Sequence, residues 1–334
     1  MNITVNKNDL IKYGFLKLNI PHNINLVKEI EQLRKEKNAI ILAHYYQDSN
    51  IQDIADFVGD SLALAQKAEN TNAEIILMAG VHFMAETVKI LNPEKKVIVP
   101  DLKAGCSLAN SCPIDDFKRF MEKYPEHTVI SYVNTTAEIK SVSDIICTSS
   151  NAINVVNSID KSNGIIFAPD KNLGNYISSV TGREMIIWNG ACHVHEEFSL
   201  ERILNLKKQY TNAKIIAHPE CEKPVLIASD YIGSTAALLK YVQIDGGSEY
   251  IVATESGILH QMKKVCPGKL FIPAPPNDST CACNDCNFMK LNSIEKIFVS
   301  LKYELPEIIL DREILTKAYN PIKRMLEISE SLKL

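Results

Sequence analysis

Nine short apolar runs punctuate the chain: NAIILAHYY, AEIILMAG, KKVIVPD, HTVISYVN, GIIFAPD, EMIIWNG, AKIIAHPE, EYIVATE and KLFIPAP. Each is rich in Ile and Val and ends in a polar or glycine-containing turn. Runs that are continuously apolar, rather than alternating, predict parallel strands buried on both faces. Between them lie amphipathic stretches, among them SLALAQKAEN, FMAETVKILN, IDDFKRFMEKYP and EEFSLERILNLKKQY. Strand and helix patterns alternate along most of the chain, which predicts an α/β fold.

Three segments share one register. Each opens with a strand ending in a polar residue, His44, Tyr132 or His218, and 17 residues later reaches a hydroxyl at a predicted helix start, Ser61, Ser149 or Thr235. Five residues before each hydroxyl stands an aspartate, at Asp56, Asp144 and Asp230. Three related units account for this, the alternative being a chance recurrence of α/β punctuation. A hydroxyl at a helix start ordinarily caps a backbone N–H. Three such starts converging on one cavity would instead present N–H groups, hydroxyls and positive dipole ends to phosphate or carboxylate.

At 334 residues the chain suits two or three domains of about 100 residues or more. Its net charge of −4, from 36 basic and 40 acidic side chains, gives no field favouring nucleic acid or an anionic membrane. The first 20 residues carry no signal-peptide pattern, and no run reaches the roughly 18 apolar residues of a membrane span. The expected location is therefore the cytoplasm, where nine cysteines point to packing, metal ligation or redox chemistry rather than a disulfide framework. The absence of GxGxxG and GxxxxGK[ST] disfavours a nicotinamide dehydrogenase or a P-loop nucleotidase.

Cys106 lies in AGCSLANSC, Cys192 in NGACHVHEEF, and Cys281, Cys283 and Cys286 in CACNDC, so three loops carry thiols towards strand ends. Spacing alone leaves zinc and iron–sulfur ligation both open. Together with AHYYQ at 43–47, GDSLALA at 59–65, AGVHFMAET at 79–87, SYVNTTAEIK at 131–140, CTSSNA at 147–152, HPEC at 218–221, IGST at 232–235 and CNFM at 286–289, these segments resemble the quinolinate synthase (NadA) family in order along nearly the whole chain.

The resemblance implies three similar three-layer α/β/α domains with pseudo-threefold symmetry around a central active-site cavity. Here these are residues 20–107, completed by 281–334, then 108–191 and 192–280. It implies one [4Fe-4S] cluster held by Cys106, Cys192 and Cys286, with one iron left open. Cys281 and Cys283 are then extras; their CxCxxC spacing departs from the CxxCxxC of some members, which puts a redox pairing between them in doubt. Cys112, Cys147, Cys221 and Cys266 are expected to pack in the core or at strand ends.

The implied reaction condenses iminoaspartate with dihydroxyacetone phosphate to give quinolinate, phosphate and water. An L-aspartate oxidase or an aspartate dehydrogenase is the implied upstream source of the imine. Glu220 is expected as the principal proton-transfer residue, assisted by His218, Tyr46 and Tyr132; His44, Asn134 and His195 match substrate-binding positions, and Ser61, Ser149 and Thr235 match positions that bind anionic groups. His193 and His195 as metal ligands is the rival reading of CHVHEEF. Lys103, His82 and His260 read equally as solvated or packed side chains. An iron–sulfur hydro-lyase and a non-catalytic iron–sulfur redox sensor are the competing functions; the polar set Tyr46, Tyr132, Asn134, His218 and Glu220 argues against the sensor.

Overall fold

All nine apolar runs form strands, and three short strands join them. The computed structural model describes residues 6–21, 23–277 and 285–333. Its strands are β1 (Ala39–His44), β2 (Phe57–Gly59), β3 (Ile75–Ala79), β4 (Lys96–Ile98), β5 (Thr128–Tyr132), β6 (Ile145–Cys147), β7 (Ile165–Ala168), β8 (Ile186–Ile187), β9 (Lys214–Ala217), β10 (Tyr231–Ile232), β11 (Glu249–Ala253) and β12 (Leu270–Pro273). They build three four-stranded sheets of one order, β2-β1-β3-β4, β6-β5-β7-β8 and β10-β9-β11-β12. Every pairing is parallel.

The same device sets the register of each short second strand. Asp56 Oδ2 accepts the Ile41 N–H at 2.8 Å, Asp144 Oδ2 accepts that of Val129 at 2.7 Å and Asp230 Oδ2 accepts that of Ile215 at 2.7 Å. In each case the aspartate's own N–H donates back to the carbonyl of that same residue. A recurring side-chain and backbone clamp therefore fixes where the edge strand begins.

Each sheet carries helices on both faces, as period-two side-chain alternation requires of strands buried twice. In the first sheet Ile41, Ala43, Leu77 and Ala79 face the helices Leu26–Glu36 and Ile294–Tyr303. Leu42, Ile76 and Met78 face Ser61–Glu69 and His82–Leu91. In the third sheet Ile215, Ala217 and Ile251 pack towards Leu200–Gln209, while Ile216 and Val252 pack towards Thr235–Ile244 and Ile258–Val265.

The first and second sheets share one core cluster. The C-terminal helix Arg312–Ser331 places Ala318, Ile322, Met325 and Leu326 in it, and that helix packs on both His82–Leu91 and Ala137–Ser141. Thus the segment after Cys286 divides its contacts: Ile294–Tyr303 covers the first sheet, and Arg312–Ser331 covers both the first and the second. This corrects the expectation that FMAETVKILN is amphipathic. Every residue from Phe83 to Leu91 is buried, including Glu86 and Lys89. Their polar ends are satisfied, Glu86 Oε2 by the Ala137 N–H at 2.9 Å and Lys89 Nζ by the Lys95 carbonyl at 2.7 Å.

Candidate active site

Parallel strands deliver their terminal side chains to one edge of a sheet, where α/β proteins bind ligands. His44 closes β1, Tyr132 closes β5, and His218 follows β9 directly. These three and the other ten residues singled out from the sequence line a single cavity, of about 700 Å3 including its open mouth. That volume suits a small-molecule site. His44, Tyr46 and Ser61 come from the first sheet and the segments that follow its strands; Tyr132, Asn134 and Ser149 from the second's; and His195, His218, Glu220 and Thr235 from the run around the third. Cys106, Cys192 and Cys286 complete the set.

The hydroxyls do not cap their helices as the first, bland reading would have it. Asp60 caps Ser61–Glu69 by accepting the Ala63 N–H, and Ser234 caps Thr235–Ile244 by accepting the Ala237 N–H. Ser61 and Thr235 are first-turn residues whose hydroxyls are released from that duty. Ser149 stands earlier still, in a turn before the helix Ala152–Asn157. The neighbouring residues tie the three segments together: the Ser150 hydroxyl lies 2.7 Å from Asp60 Oδ2 and 2.8 Å from Ser234 Oγ.

Glu220 is the electrostatic centre. It is 2% exposed, and a buried carboxylate must be compensated. Tyr132 donates its O–H to Oε1 at 2.5 Å. His195 Nδ1 stands 3.2 Å from Oε2, close but poorly aligned for a hydrogen bond, and His218 Nδ1 stands 3.7 Å from Oε1. Burial works against the charge, yet His195, then His218 and the Tyr132 hydroxyl, outweigh it and bring the carboxyl down to about 2. At neutral pH Glu220 is therefore a proton acceptor.

The imidazoles have assignable roles. His218 Nδ1 accepts the Glu220 N–H at 3.3 Å, which leaves Nε2 to donate to Ser149 Oγ at 3.1 Å. His44 Nδ1 accepts the Tyr46 N–H at 3.2 Å in the same i to i+2 geometry. Burial holds both rings neutral down to about 3. Burial also pushes the Tyr46 and Tyr132 phenols well above their usual range. Asn134 Oδ1 is buried with no hydrogen-bond partner, an acceptor aimed at whatever fills the cavity.

The three thiol loops each follow the fourth strand of a sheet: Cys106 after β4, Cys192 after β8 and Cys286 after β12. Gly190 sets the approach of the Cys192 loop, since a Cβ there would lie 2.6 Å from the Pro169 carbonyl oxygen. Phe288 bridges the loops, lying against Gly105 and edge-on to His193. Burial raises all three thiol pKa values, Cys106 to about 12, and the mutual repulsion of Cys106 with Cys286 and Cys192 adds to it. Thiols so placed stay protonated until a cationic centre compensates their charge, so the donor chemistry fits an iron–sulfur group. A single metal ion would find a second donor set in Cys192, His195 and Glu220, whose ligand atoms lie within 4.8 Å of one another. His193 is not in that set; its Nδ1 bonds Ser107 Oγ at 2.6 Å.

Two residues of the site escaped the sequence reading. Thr254 and Glu255, just beyond β11, are 2% and 0% exposed. Thr254 Oγ1 lies 2.7 Å from the Tyr46 hydroxyl and 3.0 Å from His195 Nε2. Glu255 Oε1 accepts the Cys286 N–H at 3.2 Å and pairs with Lys290 Nζ at 3.2 Å, while Oε2 accepts the Gly257 N–H at 2.7 Å. Burial raises its carboxyl to about 7 against the pull of Lys290. Gly257 is required here, because a Cβ would come within 2.8 Å of the Tyr46 backbone. A partial signal was available, since a strand ending in a polar residue had already marked His44, Tyr132 and His218.

The remaining candidates lie elsewhere. Lys103 Nζ bonds the Lys12 carbonyl, His260 pairs with Asp53 on the surface, and His82 stands 3.5 Å from Glu86. Cys112, Cys147 and Cys221 are buried and Cys266 is half-buried. Cys281 and Cys283 fall outside the described residues.

Fold and cavity together define the class: an α/β enzyme whose site is assembled at the carboxyl ends of parallel strands. Residues 28–327 match the family described as Quinolinate synthetase A protein, NadA, and the chain belongs to that family. It is 56% identical over 309 residues to the quinolinate synthase of Thermosynechococcus vestitus, covering 92% of this chain and 97% of that one. It is 58% identical over 305 residues to the quinolinate synthase of Rippkaea orientalis, covering 91% and 94%. With that of Chloroherpeton thalassium the identity is 55% over 307 residues, covering 92% and 95%. Among the described residues no helix is long and apolar enough to cross a membrane.

Proposed function

We propose that this chain condenses iminoaspartate with dihydroxyacetone phosphate to give quinolinate, phosphate and water, as a cytoplasmic transferase dependent on one [4Fe-4S] cluster. In this reading Cys106, Cys192 and Cys286 hold the cluster, one thiol from each of three units disposed with pseudo-threefold symmetry about the cavity. Those units are residues 20–107 with 281–334, 108–191 and 192–280. When bound, the cluster supplies an open coordination position, a Lewis acid for an oxygen or nitrogen of the substrate. An L-aspartate oxidase or aspartate dehydrogenase supplies the imine.

The observation that carries the reading is Glu220, a buried, ionised carboxylate lining the cavity with a phenol and two imidazoles against it. The condensation loses phosphate and water, joins carbons and moves several protons, so it needs one strong acceptor with neighbouring groups to pass protons on. Glu220 takes a proton from carbon or nitrogen. Tyr132, bonded to Glu220, gives its phenolic proton to oxygen as it takes the proton now held by Glu220. His218 and Tyr46 attend the other reacting centres. His44, held neutral by burial, and His195, with Asn134, orient the substrate, while Ser61, Ser149 and Thr235 offer hydroxyls to its carboxylates and phosphate.

The test is product formation by the anaerobically prepared chain, with iminoaspartate generated in the assay and quinolinate followed by mass spectrometry. Quinolinate formation supports the reading. Dehydration of hydroxyacids without quinolinate formation would replace it with the hydro-lyase function.

A further inference from the structure

We propose that Thr254 is a positioning residue that joins Tyr46 to Glu220 through His195 in a single proton relay. The proposal rests on the functional reading above and extends it to a residue with no assigned role. Thr254 is buried, and its hydroxyl sits between two functional groups, 2.7 Å from the Tyr46 oxygen and 3.0 Å from His195 Nε2. The chain continues at both ends: the Tyr46 oxygen lies 3.0 Å from Thr235 Oγ1, and His195 Nδ1 lies 3.2 Å from Glu220 Oε2, a contact that a turn of the ring brings into line for transfer.

The directions of these contacts follow from what each group can donate. A carboxylate only accepts, so His195 Nδ1, facing Oε2, carries the ring proton. In the tautomer that carries its one ring proton on Nδ1, Nε2 is an acceptor and is served by the Thr254 O–H. A hydroxyl that spends its one proton there receives from the Tyr46 O–H, and the Tyr46 oxygen receives from Thr235. Every group is used consistently, with the tautomer assigned from the network.

Transfer along this line balances. A substrate proton moves to the Tyr46 oxygen as the phenolic proton moves to Thr254 Oγ1. The Thr254 proton moves to His195 Nε2, and the Nδ1 proton moves to Glu220 Oε2. One O–H or N–H bond forms for each that breaks, no electrons change hands, and His195 ends as the other tautomer. Two cavity-lining groups from different sheets thus exchange a proton without crossing the space occupied by the substrate.

Thr254→Val keeps the shape of the side chain and removes the hydroxyl, whereas Thr254→Ser keeps the hydroxyl. We expect Thr254→Val to lower kcat about 10- to 100-fold, with both KM values within about twofold of the parent and iron content unchanged. Thr254→Ser should stay within about threefold. The double variant Thr254→Val with Tyr46→Phe should be no slower than Tyr46→Phe alone, because both interrupt one line. An active parent whose Thr254→Val variant keeps its kcat overturns the relay and leaves the functional reading intact. So does an equal loss in Thr254→Ser and Thr254→Val, or full additivity in the double variant. A parent that makes no quinolinate overturns both.

Discussion

The Tyr132 hydroxyl lies 2.5 Å from Glu220 Oε1, and the two residues come from different sheets, Tyr132 at the end of β5 and Glu220 in the turn after β9. A phenol pushed well above its usual range by burial and by the Glu220 charge cannot ionise beside that carboxylate; it can only donate. Replacing Glu220 by Gln keeps the shape and removes the acceptor. Product formation should fall about 100-fold or more, with iron and labile sulfide retained. Metal analysis beside the activity assay checks this, and parental activity in Glu220→Gln would remove Glu220 from proton transfer.

The thiols separate by position. Cys286→Ser should lose most of the iron after identical anaerobic reconstitution, as should Cys106→Ser and Cys192→Ser. Cys283→Ser and Cys266→Ser should retain it, the latter because Cys266 touches the Val242 carbonyl, away from the cavity. Cluster absorbance with iron and sulfide assays reads the outcome. Equal loss in Cys283→Ser and Cys286→Ser would contradict the assignment of Cys286 as sole ligand in that loop.

Glu255 anchors the Cys286 loop through a backbone N–H and Lys290, and Lys290 in turn reaches the Tyr46 carbonyl at 3.0 Å. Lys290→Met leaves a buried carboxylate without its cation, a change that costs about 3–5 kcal/mol when a buried pair is broken from one side. Glu255 can offset part of this by protonating, since its carboxyl already titrates near 7. The parent's Glu255 is ionised and paired at pH 8 but protonated at pH 6, so the parent should release iron to a chelator faster at pH 6, whereas Lys290→Met, which raises the carboxyl further, should release it faster than the parent at pH 8 and differ less between the two pH values. A parent that releases iron identically at both pH values would show that Glu255 does not hold the loop by charge.

His44 and His218 make stability fall with acid. Both stay neutral to about 3 when folded, whereas an unfolded histidine titrates near 6.5. Their folded pKa values are lowered, so their contribution is complete above about 6.5 and is lost as the unfolded chain takes up protons below it. Each histidine steepens the loss by about 1.4 kcal/mol per pH unit. Glu220, also lowered, adds to the loss below about 4.3. Urea unfolding of cluster-free protein between pH 7.5 and 5 should show this slope, reduced by one proton in His218→Gln. A flat profile would mean that these rings are protonated in the folded cavity.

Much of the sheet structure is legible in the sequence because a strand buried on both faces must be apolar throughout, and all nine such runs became strands. The three strands that escaped, β2, β6 and β10, are two or three residues long and pair on one side only. They are placed by the aspartates Asp56, Asp144 and Asp230, whose recurrence was visible although its mechanical meaning was not. The buried helix His82–Leu91 was misread because its cover, Arg312–Ser331, arrives more than two hundred residues later. The site residues were found through family motifs and the polar-strand-end pattern. Thr254 and Glu255 were absorbed into the apolar run EYIVATE, since nothing local says that a threonine will meet a tyrosine from another sheet.

The most direct measurement is quinolinate formation by this chain, reconstituted anaerobically and supplied with dihydroxyacetone phosphate and freshly generated iminoaspartate beside an established quinolinate synthase. Quinolinate and phosphate should appear in equal amounts, and both should vanish when either substrate is omitted. A chain that carries about four irons and four sulfides yet forms no quinolinate, while the reference enzyme does, would contradict the assignment of this cavity as a quinolinate-forming site.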